Sequence, residues 1–499
     1  MRPSLIACAC ALLATTRPTS RALGNPLEDP HLGGIGFSGP TSDDLSALYW
    51  NPAALGLGTG TRLMAVMGGQ VGSRSIERAP IDPLTGQPGG SRGFAPLTGR
   101  ADRWPTSPFG AGAFLATALT LGSRVTLAFG VYSPYTVRDR FSTAADGTQP
   151  ARYHDVDTEL TSVALAPGLS LRLGGGLRLG LAPTFLLSSG HVVFDQDTGA
   201  PSGSAGAARL CGAQPCGAEN PAAAARYTMD ADASLLDSSF AFMLGLGLHL
   251  DRPRWALGVS YLTGPLGDGI QLEAKASSIT LPPRIGAGAT LCSAGFDPCV
   301  SGAITFRLPR VLAGGFDFHV WKRLDVGVQL RWMDLSAHDA ISVRAVGPAG
   351  GALRAAGLPE EIVLYRGLQD AFDLRLRALF RFGERVRLAT TLRGETASAP
   401  RAALSPAVFG GALVEPSLAV RVRVGHFDLG AGYAFAFMPA VTVEGSRYDP
   451  EANGACEAVG GDLDDPACRK RQEGRARPTA AGKYQATTHS FALSISTQL

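Results

Sequence analysis

The run FDLRLRALFRFG, from Phe372 to Gly383, puts Phe372, Leu374, Leu376, Ala378, Phe380 and Phe382 on one parity. The other parity carries Asp373, Arg375, Arg377, Leu379, Arg381 and Gly383. Successive side chains of an extended strand point to opposite faces. One face of this strand is therefore purely apolar, and the other holds three arginines and an aspartate. The same alternation recurs in Leu324, Val326, Val328, Leu330 and Trp332 against Asp325, Gly327, Gln329 and Arg331. It returns in Leu418, Val420, Val422 and Val424 against Ala419, Arg421 and Arg423, and again from Phe427 to Phe437. A soluble β-sandwich would have to bury one of these faces. An unpaired arginine is costly in a dry core and cheap in a wet lumen. The pattern predicts a membrane barrel with an apolar outer face and a polar interior.

Composition agrees. The chain has 499 residues, of which only 17% are charged, with 63 glycines. Its mean hydropathy is +0.10, yet no apolar run approaches the ~18–20 residues of a membrane helix. Only helices and closed barrels satisfy their backbone in lipid. Period-two alternation predicts fourteen strands. They fall at 61–73, 109–121, 124–137, 158–173, 176–194, 237–250, 254–275, 303–320, 324–345, 370–382, 386–397, 413–424, 427–445 and 484–499. Tight turns such as Gly122-Ser123, Gly174-Gly175, Asp251-Arg252-Pro253 and Gly383-Glu384-Arg385 alternate with long connections rich in Gly, Pro, Ala and charge. That alternation is expected of an antiparallel barrel with short periplasmic turns and long outer loops.

The first residues read as an export signal. Arg2 precedes an apolar core from Leu5 to Thr16, and Ser20-Arg21-Ala22 is an imperfect cleavage site. The apolar stretch ahead of Cys8 and Cys10 is only three residues, too short for a lipoprotein signal. The chain has 45 Lys and Arg against 42 Asp and Glu. Removing residues 1–22 takes away Arg2, Arg17 and Arg21 and balances the charge, so neither nucleic acid nor strongly anionic lipid is an expected partner. Six cysteines then remain, Cys211 and Cys216, Cys292 and Cys299, Cys456 and Cys468, all in long connections. An even count in an exported chain reads as disulfides between near neighbours. Zinc is the alternative, although no His accompanies a pair at finger spacing; free thiols are another. No metal or cofactor is expected.

Residues 23–60 lack strand alternation. Gly33, Gly34, Gly36 and Gly39 mark turns. In SALYWNPAALG (Ser46 to Gly56), Asn51 caps and Pro52 opens a short helix that Gly56 closes. By itself Asn51-Pro52-Ala53 says no more than that.

In context the chain resembles the FadL/TodX family of outer-membrane transporters for long-chain fatty acids and other hydrophobic compounds. The Asn51-Pro52-Ala53 triplet follows a Gly-rich segment, as in the family's hatch. FGVYSPY (Phe129 to Tyr135) looks like its third strand. RLPRVLAGG (Arg307 to Gly315), followed by LDVGVQLRWMDLSAHD (Leu324 to Asp339), is similar to its Pro-strand-Trp-Ser pattern. GKYQATTHSFALSIS (Gly482 to Ser496) looks like its closing strand. The long connections 74–108 and 196–235, the paired cysteines and the final Leu499 in place of an aromatic depart from the family's pattern.

The resemblance implies a signal peptide (1–22), a hatch (23–60) anchored by Asn51, Pro52 and Ala53, and a barrel (61–499) in the outer membrane of a diderm bacterium. The barrel would be surrounded by outer-membrane lipid and monomeric. It further implies capture of a hydrophobic small molecule by loops 195–236 and 276–302, then lumen binding, hatch movement, and lateral or periplasmic release. Pro134 lacks a ladder donor and would help open a gap in the third strand; it could equally end that strand. Leu235, Leu236 and Phe240 are capture candidates or the start of a strand. Arg331, Arg375, Arg377, Arg421 and Arg423 lie on polar faces of neighbouring strands. They could bind a substrate carboxylate, or pair internally with Asp325, Asp373 and Asp428. Three other roles stand against transport: a secreted-protein scaffold or shuttle, a general porin, and a barrel lipase. For the lipase, no GxSxG occurs, and His154, His191, His249, His319, His338, His426 and His489 have no evident Ser partner.

Overall fold

The computed structural model describes residues 29–78, 101–104, 113–140, 154–197, 210–211, 214–215, 224–232, 241–267, 269–280, 301–346, 361–443 and 480–499. The expected signal peptide lies outside them. So do Leu235, Leu236, Phe240 and every paired cysteine but Cys211, which is placed only as backbone.

The barrel strands run in chain order β1 (Thr61–Arg78), β2 (Ala101–Trp104), β3 (Ala113–Leu121), β4 (Val125–Tyr132), β5 (Thr136–Arg140), β6 (Asp157–Gly174) and β7 (Leu177–Asp197). A separate two-stranded ladder joins β8 (Leu210–Cys211) to β9 (Gln214–Pro215). There follow β10 (Ala224–Asp232), β11 (Ala241–Arg252), β12 (Trp255–Leu262), β13 (Ile270–Thr280), β14 (Ser301–Phe306), β15 (Val311–Trp321) and β16 (Leu324–Met333). The last group is β17 (Ala340–Val346), β18 (Glu361–Tyr365), β19 (Ala371–Phe382), β20 (Val386–Glu395), β21 (Leu413–Val424), β22 (Phe427–Val443) and β23 (Gly482–Gln498).

These pieces form a closed antiparallel barrel of fourteen staves, because several staves are built from two collinear pieces. Closure is made by β1, which pairs β3 on one side and β23 on the other, from Arg62↔Gln498 to Arg78↔Gly482. The faces are inverted relative to a soluble protein. On β21 the polar parity Glu415, Ser417 and Arg421 is buried, while Val414 and Leu418 are exposed. On β19 Asp373 and Arg375 are buried, and Phe372, Leu374 and Leu376 are exposed. Exposed Leu127, Phe129, Leu248, Phe316, Leu330, Leu429, Phe491 and Leu493 continue the apolar band around the barrel. Such a surface is stable only against hydrocarbon.

The structure departs from the expected strands at two places: the run expected at 124–137 is interrupted at 133–135 between β4 and β5, and a larger set of breaks runs across neighbouring staves. The runs expected at 254–275, 303–320 and 324–345 each fall into two pieces, whereas the run expected at 370–382 is the single strand β19, with the short β18 ahead of it. The breaks at 263–269, 307–310, 334–339 and 366–370 divide this side of the barrel into two tiers. Below the breaks the order is β7, β11, β12, β15, β16, β19. Above them it is β7, β10, β13, β14, β17, β18. Pro265 and Pro309 donate nothing to a ladder, and Gly267 and Gly269 take φ of 94° and 96°, which turns the chain.

Candidate functional site

Residues 29–60 fold into the lower lumen. Helix α1 (Ala47–Trp50) runs into a 3₁₀ turn (Pro52–Leu57), and Leu48, Ala53, Ala54 and Leu55 are fully buried. Asn51 is the junction. Its Oδ1 accepts the Ala53 N–H at 3.1 Å. Its Nδ2 donates to the Pro40 carbonyl at 2.8 Å and to the Leu248 carbonyl of β11 at 3.0 Å. One side chain thus caps the turn, ties the segment to itself and fastens it to the wall. Ser170 donates to the Ala53 carbonyl at 2.8 Å, and Arg172 and Arg178 donate to that of Gly56. The wall is cut back to receive this turn. A Cβ on Gly180 would overlap the backbone of Ala53, and one on Gly247 would overlap Asn51 Oδ1.

The sequence-predicted arginines divide into two groups. Four reach the N-terminal segment. The Arg331 guanidinium lies 4.8 Å from the centroid of the Trp50 ring and that of Arg375 lies 5.7 Å from it. Arg375 also donates to the Pro30 carbonyl at 3.2 Å. Arg377 pairs with Asp317 at 2.6 Å and approaches the Phe37 carbonyl at 3.5 Å. Arg421 pairs with Asp44 at 2.7 Å and stacks over Phe37 at 4.3 Å. Arg423 stands apart near a short turn, held by both oxygens of Asp428. Asp373 accepts from Arg393, a buried arginine that also contacts Glu395 and Glu415. Asp325 accepts from Arg381. Sequence reading did not single out Arg393. Its strand shows the same polar parity, but the acids around it come from three different staves.

Pro134 sits in the break between β4 and β5. Tyr132 pairs with Ala164 and Thr136 with Thr161, so this stave carries one extra residue, a bulge. Among the described residues β3 starts at Ala113, and β5 is paired only with β6. The N–H of Asp29 donates to the Pro134 carbonyl at 3.2 Å, so the segment's first described residue rests on the break. Tyr132 stacks on Phe114, and Tyr49 meets it edge-on.

A cavity of about 50 Å³ lies in the upper tier. Its walls are apolar: Leu160, Val192, Leu272, Ile304, Phe306, Ile341, Leu368 and Val408. Its polar groups are Asp155, Thr158, Glu159, His338 and Arg366. Residues 396–412, between β20 and β21, fold inward and cover one side. Phe409 is buried against Tyr484 under Arg74, and Arg366 donates to the Ala407 carbonyl at 2.5 Å. His338 follows the short 3₁₀ turn between β16 and β17 and is buried.

A closed fourteen-stave barrel with an apolar belt, a lumen filled by its own N-terminal segment and an apolar cavity above that segment defines an outer-membrane transport protein. The family model for outer membrane protein transport proteins (OMPP1/FadL/TodX) matches residues 27–357, and the chain belongs to that family. It is an outer-membrane transporter of hydrophobic compounds, not an enzyme. A FadL homologue from Pseudomonas aeruginosa superposes with a TM-score of 0.70 at 14% identity, covering 95% of this chain and 99% of that one. The Pseudomonas putida toluene transporter TodX gives 0.59 at 12% identity, covering 97% and 100%. The Ralstonia pickettii toluene transporter TbuX gives 0.57 at 13% identity, covering 94% and 97%. At these identities the likeness is one of fold. No curated protein matches the sequence.

Proposed function

We propose that the barrel takes up hydrophobes with an extended apolar body, long-chain fatty acids among them, through the upper cavity and out past Pro134. The observation that carries this reading is the apolar lining of a lumen cavity in the upper tier of the barrel. Burying apolar groups there yields roughly 0.8 kcal/mol per methylene, enough to draw a cargo across the polar outer face without fuel. At about 50 Å³ the cavity is closed down; ligand clefts are commonly ~300–1,000 Å³. Loading therefore requires the inward segment 396–412 or its neighbours to move. Arg366 is the cationic lining group that a fatty-acid carboxylate would meet.

Onward transfer requires residues 29–60 to act as a hatch. Withdrawal of Asp29 from the Pro134 carbonyl would uncover the break in the third stave and offer a sideways exit into the bilayer. Asn51 would keep the lower end fastened while the upper end moves. Wall arginines 331, 375, 377 and 421 serve this hatch as a clamp.

A second reading, an uncharged hydrocarbon as cargo, is favoured by the carboxylates of Asp155 and Glu159 in the lining, which repel an acid. The named relatives include toluene transporters. Uptake of labelled oleate and of toluene, measured in cells lacking other such transporters, tests both. Ile304→Trp, which fills the cavity, should abolish whichever uptake exists. Undiminished uptake in that variant would remove the cavity from the route.

A further inference from the structure

The Nδ1 of His338 lies 2.6 Å from the carbonyl oxygen of Arg307. A carbonyl only accepts, so Nδ1 must carry the proton and donate. The ring is buried, 1% exposed, among apolar groups, edge-on to Phe306 and close to Arg366. A second proton would place an uncompensated cation in that setting, so the imidazole is neutral. Its Nε2 is therefore a lone-pair acceptor, and it is buried with no hydrogen-bond partner. Leaving a buried acceptor unsatisfied is costly, and such groups in native proteins call for an explanation.

The explanation is at the ring's own wall. His338 lines the upper cavity, where the remaining surface is mostly hydrocarbon. Two further polar groups there, Asp155 and Glu159, are also acceptors, and Thr158 already donates to Asp155 at 2.7 Å. Arg366, the one strong donor in the lining, spends a donor on Ala407.

We infer that His338 is a specificity-determining residue whose Nε2 accepts a hydrogen bond from a hydroxyl group on the cargo. The favoured ligand class is an uncharged hydrophobe bearing an alcohol or phenol, ahead of the bare hydrocarbon. This rests on the reading of the cavity as the cargo site. A neutral aromatic ring buried beside hydrocarbon recognises the apolar body, and the single nitrogen recognises the hydroxyl. A site built to bond a hydroxyl discriminates against the analogue that lacks it, because the site's own polar group is then left unpaired.

The test is calorimetric titration of the purified, folded barrel with 4-butylphenol and with butylbenzene, which differ only in the hydroxyl. The native barrel should bind the phenol about tenfold more tightly, the equivalent of one ordinary hydrogen bond. His338→Phe keeps the ring and its contact with Phe306 but removes the acceptor, and should bind the two compounds equally. His338→Asn guards against misfolding of that variant. Its amide nitrogen can still donate to Arg307, which leaves its one acceptor, Oδ1, near the ring's Cδ2 position and short of Nε2, so the preference should again fall. Persistence of the preference in both folded variants, or its absence in the native barrel, would overturn the inference while leaving the cavity as the cargo site. Binding of neither compound to the native barrel would overturn the cavity reading and this inference with it.

Discussion

Arg331 of the barrel wall lies over the indole of Trp50, 4.8 Å from the ring centroid, and the same indole donates to the Leu32 carbonyl at 2.8 Å. Trp50 therefore links the two halves of the lumen segment and presents its face to the wall. A cation over an aromatic face contributes roughly 0.5–2 kcal/mol, more where water is excluded. Arg331→Ala should loosen the segment without harming the barrel. A loss near 1 kcal/mol raises the displaced population about fivefold. Ion leak through planar bilayers should rise accordingly. An unchanged leak would deny the clamp.

Asn51 satisfies three backbone groups from one buried side chain. Asn51→Ala strands the carbonyls of Pro40 and Leu248 and the N–H of Ala53, at about 1–3 kcal/mol for each group left dry. Cargo uptake should fall several-fold while the folded form, recognised by its heat-dependent gel mobility, persists. Disappearance of that form would mark Asn51 as a residue needed for assembly.

Arg375 and Arg377 hold carbonyls of Pro30 and Phe37. The double variant Arg375→Ala with Arg377→Ala should change oleate and toluene uptake by the same factor, because it acts on the segment they hold. A loss confined to oleate would show that the cargo carboxylate uses these arginines directly.

Pro134 leaves its stave without a ladder donor at the bulge. Pro134→Ala restores the N–H and should let the break zip further, cutting uptake several-fold with binding affinity unchanged. Titration alongside uptake separates the two effects. Equal uptake would send the cargo through the lower end instead.

The barrel itself was legible because lipid imposes one rule on every stave. Phe372 to Gly383 states that rule in twelve residues, and β21 and β22 repeat it. The capping role of Asn51 was legible too, since a cap is local; its bond to Leu248, 197 residues away, was not. Neither was the cavity. Leu160, Leu272 and Ile304 meet only because the upper pieces of several staves peel into a second tier, and each sits in an ordinary alternating run; Val408 joins them from the inward connection 396–412. His338 was visible as one scattered histidine, and its tautomer is fixed by a backbone carbonyl 31 residues upstream. The arginines were found by parity, but whether each faces an acid, a carbonyl or an indole is decided by the segment that fills the lumen.

The first stave is zipped to the last over seventeen residue pairs, from Arg62↔Gln498 to Arg78↔Gly482. This seam joins the two ends of the barrel in sequence, so the wall cannot become a cylinder until the final strand has been delivered. Residues 29–60 immediately precede the first stave and end up enclosed. The cylinder must therefore shut around its own cargo of thirty-odd residues, like a stave cask coopered about its contents. The lumen segment is then enclosed at the last step of folding rather than the first.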